Sequence, residues 1–295
     1  MSEYLWAILS LSAAMFLSSL YIMDRRFLLN QNLNPFVFSS FATTLGAFFA
    51  TLLAVLVIGG VPEISGKALL YGIGIGLLGS LGSYAYYYAL RNNEASHVAP
   101  FSKFTSVFSM VFAVILLGES VNTIIVAGVF LIGLGGYFAT ERNRQGHPMI
   151  DKAVILIVAA TFFWAIRGIP EKMILSEIHP LALASIAALT RCALSLFIGA
   201  GVMNKEWNAF AEQLRKNARD MKLLVFRGMV SAASLTFYYY ALSMAPVSRV
   251  VPLANTDAIF TVIFGGIILR EKNIKKKIFG AIVAVIGAWM IVMGG

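Results

Sequence analysis

The sequence predicts an all-α, polytopic membrane protein of ten transmembrane helices, arranged as two inverted-topology repeats of five helices. Three observations carry that prediction: a composition too apolar for a water-facing surface, apolar runs of span length along the whole chain, and an internal repeat. Of the 295 residues, 59% are hydrophobic and 13% charged, and the mean hydropathy is +0.81. A soluble domain carries about 25% charged residues because its surface must face water. The apolar runs recur at about the 20-residue length that carries a helix across a hydrocarbon core of about 30 Å. They are continuous rather than alternating, which excludes a barrel, the other structure able to satisfy its own backbone hydrogen bonds in lipid.

The predicted spans are 4–23, 35–58, 67–90, 96–117, 122–140, 152–175, 180–203, 222–244, 247–269 and 274–294. The first has no basic residue before it and no small-residue cleavage site after it, so it is expected to be a retained helix rather than a signal peptide. Asn34-Pro35 opens the second span, Gly59-Gly60 closes it, and His179-Pro180 opens the seventh. Gly72, Gly74, Gly76, Gly79 and Gly82 mark the third as a closely packed helix; no P-loop lysine follows them. The longest polar stretch, 204–222, fits either a surface-lying amphipathic helix or a solvated loop. Cys192 is the single cysteine, which rules out an internal disulfide.

The repeat fixes the domain organisation. Tyr86-Tyr87-Tyr88-Ala89-Leu90 recurs as Tyr238-Tyr239-Tyr240-Ala241-Leu242. Pro100 with Pro252, Glu119 with Glu271, Gly128 with Gly280 and Gly135 with Gly287 all keep the same offset of 152. Earlier in each half the offset is smaller: 147 between Asp24-Arg25 and Glu171-Lys172, and 145 between Pro35 and Pro180. The additional residues fall in 204–222, where an insertion is least disruptive. The halves are therefore 1–145 and 151–295. With an odd number of spans in each, the second half must enter the membrane in the opposite sense, an arrangement common in secondary transporters with a site near the midplane. The odd-numbered connections hold sixteen lysines and arginines against three, Lys67, Lys172 and Arg249, in the even-numbered ones. That asymmetry puts the odd connections in the cytoplasm and both termini outside, and it accounts for the net charge of +9 without a nucleic-acid partner.

Ionisable side chains at membrane depth are costly and mark functional sites. Asp257 is the one acidic residue expected near the middle of a span, and Lys103 is similarly deep in the fourth. Related by a pseudo-twofold axis, they could receive the amine and carboxylate of an amino-acid-like substrate; a structural ion pair is the plainer reading. Arg191 is deep in the seventh span and fits site lining or structural pairing equally. Arg167, nearer an end of the sixth, is expected to snorkel to the interface. Tyr84 and Tyr88, one turn apart, and Tyr240 are cavity candidates, with interfacial anchoring as the alternative. Glu119 and Glu271 follow helix ends and are expected to accept hydrogen bonds from the next helix N-terminus.

The chain resembles the ten-helix, EamA-type members of the drug/metabolite transporter superfamily. The resemblance rests on Ala89-Leu90, Gly118-Glu119-Ser120, Gly128 and Gly135, repeated as Ala241-Leu242, Arg270-Glu271-Lys272, Gly280 and Gly287. Arg191 matches an arginine often found in the seventh helix of this family, and the second helix has no counterpart to it. The prolines depart from the family position: Ser106 and Ala258 stand there, with Pro100 and Pro252 six residues earlier. The resemblance implies a transporter of small molecules in the lipid bilayer of a cell membrane, without a bound cofactor.

With no nucleotide-binding motif, an ion gradient or exchange is expected to drive transport, with Asp257 as a possible proton carrier. The leading expectation is export of amino acids or amines by alternating access. The alternative is exchange of an anionic metabolite, a sugar phosphate or nucleotide sugar, over Lys103, Arg191 and Arg167. A membrane-embedded enzyme or a scaffold belongs to another class. His97, His147 and His179 are not spaced as metal ligands, and neither a His-Glu-x-x-His nor a Gly-x-Ser-x-Gly pattern is present. A monomer and a homodimer fit the sequence equally.

Overall fold

The computed structural model describes residues 4–30, 33–91, 104–139, 152–257, 260 and 274–294. They form eleven α-helices. In the first half these are α1 (Leu5–Asn30), α2 (Pro35–Ile58), α3 (Gly66–Arg91), α4 (Phe104–Leu117) and α5 (Thr123–Ala139). In the second they are α6 (Lys152–Ile174), α7 (Pro180–Leu196), α8 (Asn204–Lys216), α9 (Ala218–Met244), α10 (Val247–Ala254) and α11 (Ile274–Met293). Proline at the first helical position needs no N–H there and presets φ, and both Asn34-Pro35 and His179-Pro180 use it. Asn34 accepts from the Phe36 N–H, and His179 Nδ1 from the Leu181 N–H. Gly59, at φ +82°, closes α2 in the left-handed conformation that glycine adopts without strain.

Four helical segments are long and apolar enough to cross a bilayer by length and composition: Leu5–Asp24, Phe36–Ile58, Gly66–Tyr86 and Pro180–Val202. Phe104–Leu117, Thr123–Gly135 and Ile278–Met293 are shorter apolar helices. At 23 and 27 residues, α6 and α9 are as long, but charged and tyrosine side chains interrupt their apolar runs. Those interruptions are where the polar interior of the molecule lies.

Exchanging the halves maps the packing onto itself. The pair α1–α9 answers α6–α3, α1–α10 answers α6–α4, and α2–α9 answers α7–α3; α2–α7, α4–α10 and α5–α11 each pair a helix with its own counterpart. All three self-paired contacts are antiparallel. In α5–α11, a methyl group on Gly128 would lie 2.7 Å from the Gly287 carbonyl oxygen, one on Gly135 would lie 2.6 Å from the Gly280 oxygen, and Asn122 donates to the Gly294 carbonyl. The four glycines that mark the repeat are thus the ones that touch, as the small residues of a close helix crossing do. In α2–α7, Ser185 donates to the Ala50 carbonyl, while Thr44 meets Cys192 at 3.4 Å. In α4–α10, Asn255 donates to Ser106 Oγ near one end, and Glu119 binds the N-terminus of α10 at the other.

Residues 204–216, for which a helix and a loop fitted the sequence equally, form the amphipathic helix α8. Its apolar side packs inward: Phe210 and Leu214 join Phe27, Val37, Phe38, Ala42 and Leu224, and Trp207 Nε1 donates to Ser40 Oγ at 3.0 Å. A π-helical turn, Phe197–Val202, joins α7 to it and lets Gly199 approach Ser40. The first helix runs past its expected end at residue 23 to Asn30, because Asp24 is engaged by α9 rather than by solvent.

Candidate functional site

Among the described residues, three interior polar clusters stand out. The largest lies where α6 meets α9. Glu171 is fully buried, and it accepts hydrogen bonds from Tyr239 Oη at Oε1 and from Tyr238 Oη at Oε2, each at 2.9 Å. Arg167, one turn earlier, brings Nε to 2.9 Å from Oε1, and its guanidinium lies 6.0 Å from the Tyr238 ring centroid. The Nε contact is ionic without being aligned as a hydrogen bond. Pro170 sits beside Glu171 inside α6, so Ile166 loses its helical hydrogen-bond donor and the helix is weakened there.

The second cluster lies between α3 and α7. Arg191 Nη2 reaches Ser83 Oγ at 3.4 Å, and Tyr84 Oη meets Ser195 Oγ at 3.0 Å, with the Phe36 ring against Tyr84. Gly79 joins the two clusters. A Cβ there would stand 3.1 Å from Arg167 Nη1 and 3.6 Å from Arg191 Cδ, so glycine makes room for both arginines. Gly72, Gly76 and Gly82 let Ile186, Thr190 and Trp164 close on α3, as expected of this glycine-rich helix; Gly74 faces open space.

The third is an ion pair between the ends of α1 and α9. Arg227 binds Asp24 through Nε at 2.6 Å and Nη2 at 2.9 Å, and its guanidinium also reaches the Ala42 carbonyl and lies over Phe38. Both side chains are largely buried, at 9% and 15% exposure, so the attraction is little screened by water.

At the opposite end of the bundle the helix termini are fixed by side chains. Glu119 accepts from the Val247 and Ser248 N–H groups and from Ser248 Oγ. The expected partner was the next helix; antiparallel pairing of α4 with α10 brings the other half's N-terminus closer instead. Lys172 Nζ donates to the Leu242 and Ala245 carbonyls, capping the C-terminus of α9. Lys67 pairs with Glu177 across the α3 and α6 ends.

Of the residues picked out by sequence, Arg191 and Tyr84 share the second cluster. Asp257 is 4% exposed, just beyond α10. Lys103 lies outside the described residues. Tyr88 is half exposed near the end of α3, and Tyr240 lies 3.5 Å from His179 Nε2 at the α6–α7 turn. Arg167 does not snorkel to the interface: its side chain is 18% exposed because Glu171 holds it inside. Sequence reasoning missed Glu171, Tyr238 and Tyr239. The available signals were the i, i+4 spacing of Arg167 and Glu171 and the register of Glu171 with Asp24.

No curated protein matches the sequence. A solved crystal structure superposes with a TM-score of 0.74 at 16% identity, covering 97% of this chain and 95% of its own, which establishes the fold. The EamA-like transporter family matches twice, over 4–140 and 151–293, the same two halves that the repeated glycines and the exchanged helix pairs define. This multi-pass membrane protein therefore belongs to the EamA-like transporter family of the drug/metabolite transporter superfamily.

Proposed function

We propose that the protein is a secondary transporter that exports small polar or amphipathic metabolites, amino acids or amines, by alternating access. Ten spans form two inverted-topology repeats of five, with both termini outside. The observation that carries this reading is the antiparallel packing of α2 on α7, α4 on α10 and α5 on α11, each helix against its repeat counterpart. Such a two-fold relation gives a bundle two related packings, and rocking between them exposes one central site to either side in turn. Asp257 and Lys103 receive the amine and carboxylate of the substrate, with Arg191, Tyr84, Tyr88 and Tyr240 lining the path. A proton on an interior carboxylate is the coupling ion.

A thermal-shift screen of the purified protein against a metabolite library identifies the substrate, and counterflow in liposomes then measures it. Asp257→Asn should abolish transport while the folded protein accumulates; wild-type counterflow in a folded Asp257→Asn, Lys103→Ala double variant would remove this pair from the site. Impermeant labelling of single cysteines in a Cys192→Ser background tests the topology. A cysteine in 204–222 should stay unlabelled in intact cells.

One observation favours the second reading, exchange of anionic metabolites: Arg167 and Arg191 converge on Gly79. Strict one-for-one counterflow of phosphorylated substrates, absent with zwitterions, would select it.

A further inference from the structure

Two carboxylates stand at equivalent places near the ends of the first helices of the two halves, Asp24 and Glu171, and both engage α9. Their partners differ in kind. Asp24 is held by a guanidinium fork from Arg227. A guanidinium has no acceptor, so a proton on Asp24 would set an O–H against the aligned donors of the fork. The two aligned hydrogen bonds to Glu171 come from hydroxyls, and the Arg167 contact is ionic only. A tyrosine hydroxyl donates or accepts. A protonated Glu171 can therefore turn its own O–H toward the Tyr238 or Tyr239 oxygen, an acceptor that the guanidinium fork on Asp24 does not offer.

We propose that Glu171 is the coupling-proton site of this protein, and that its protonation loosens the α6–α9 contact beside Pro170. This rests on the transport reading above and names the group through which the ion acts. Deprotonated, Glu171 joins α6 to α9 through two charge-assisted hydrogen bonds, the stronger kind. Protonation takes a proton from solvent onto one carboxylate oxygen, turns those bonds into neutral ones, and removes the negative partner of Arg167. Arg167 Nη1 already lies at Gly79 beside Arg191, so the freed charge appears in the hydroxyl-lined cluster of Ser83, Tyr84 and Ser195.

Among the described residues, the groups facing Glu171 are Arg167 from its own helix, Tyr238 and Tyr239 from α9, and the charge of Arg191 from α7. Lys172 points to the α9 carbonyls, α3 presents Gly79, and α10 presents Val247 and Val251 against Gly168.

Infrared difference spectroscopy of the reconstituted full-length protein, titrated with acid and base alone, reads this without a substrate. Beside the exposed carboxylates, which titrate alike in both proteins, wild type should show a protonated-carboxyl band from a buried site that Glu171→Gln lacks. Persistence of the band in Glu171→Gln, its loss in Asp257→Asn instead, or no such band in wild type would each overturn the proposal. If Glu171→Gln fails to fold, the Tyr238→Phe, Tyr239→Phe variant decides. Losing two donors to the charged form should raise the proton affinity about tenfold, moving the midpoint up by about one pH unit. An unmoved midpoint overturns the proposal. Because no substrate is present, a negative counterflow result would count against transport and leave this result standing.

Discussion

The α2–α9 and α3–α7 seams are the same contact in the two halves, and they are built from opposite materials. The repeat equates Gly79 with Ser231 and Arg191 with Gly46. In the α2–α9 seam, a Cβ on Gly46 would lie 3.2 Å from Ser231 Oγ, and one on Gly228 would lie 2.8 Å from Leu45 Cβ: small residues, tightly closed. In the α3–α7 seam the glycine has moved to the other helix, and the space it leaves is filled by the stem of Arg191. Duplication thus preserved the backbone geometry, while the chemistry was placed on one side. Burying a guanidinium at this depth costs about 2.5–3.5 kcal/mol on insertion scales. The counterpart seam closes without a guanidinium, so the fold does not require one at this contact.

The sharpest way to break this comparison is to rebuild one seam as the other. Gly79→Ser with Arg191→Gly should give a folded protein that no longer transports, because the pair reproduces the Ser231–Gly46 contact. Gly79→Ser alone should be worse folded than the pair, since its side chain meets both arginines. Unfolding midpoints in detergent and counterflow in liposomes measure the two effects; full transport by the folded double variant would end the distinction between scaffold and site.

The two carboxylates at the α1 and α6 ends extend the comparison. Asp24→Asn removes the carboxylate that two Arg227 nitrogens bind, and breaking a buried pair costs about 3–5 kcal/mol. Asp24→Asn with Arg227→Met should recover part of that loss. Thermal melts of the single and double variants form the test, and equal loss in both would mean the pair contributes nothing as a pair.

At α5–α11 the halves are alike, so this contact serves as the reference. Gly287→Ala places a methyl 2.6 Å from the Gly128 carbonyl oxygen and 2.8 Å from the Ile132 nitrogen, backbone atoms that cannot swing aside. Overpacking of this kind costs about 1–3 kcal/mol. Gly133→Ala, with nothing within 4 Å, should leave the melting midpoint unchanged.

What could be read from the sequence follows the same division. Apolar runs, Asn-Pro and His-Pro starts and repeated glycines are local signals, and they located the helices and the halves. That Gly128 would meet Gly287, and Gly135 meet Gly280, was not legible, since the repeat gives the register of the halves but not which of their helices touch. The Glu171 cluster was hidden because its partners, Tyr238 and Tyr239, lie 67 and 68 positions away, and a tyrosine run gives no local sign of which rings face inward. Arg167 was misread for a related reason: snorkelling is the default for an arginine near a helix end, unless an acid one turn on holds it. Residue Tyr240 belongs to the same run yet turns to His179, so one helix end carries both an interior pair and a peripheral ring.

Helix α8 gives the smallest expected effect and a comparison of its own, since the first half has no counterpart to it. Its two faces should contribute very unequally. Lys216 and Glu212 pair at 2.6 Å on the outer face, but both are exposed, at 74% and 67%, so water screens the attraction and ordering two long side chains offsets it. Such a pair is worth about 0.3–0.5 kcal/mol, and Glu212→Gln should move the melting midpoint by little. Phe210, at 2% exposure, packs between Phe41 and the Leu214–Val37 core, where truncation to alanine costs about 3–5 kcal/mol. Comparable shifts for Glu212→Gln and Phe210→Ala would mean that α8 is held by its charges, and the insertion would then be an electrostatic attachment rather than part of the packed bundle. The expected order, a large loss for Phe210→Ala and almost none for Glu212→Gln, makes α8 a buttress on the N-terminal end of α2, opposite the end that Gly59 closes.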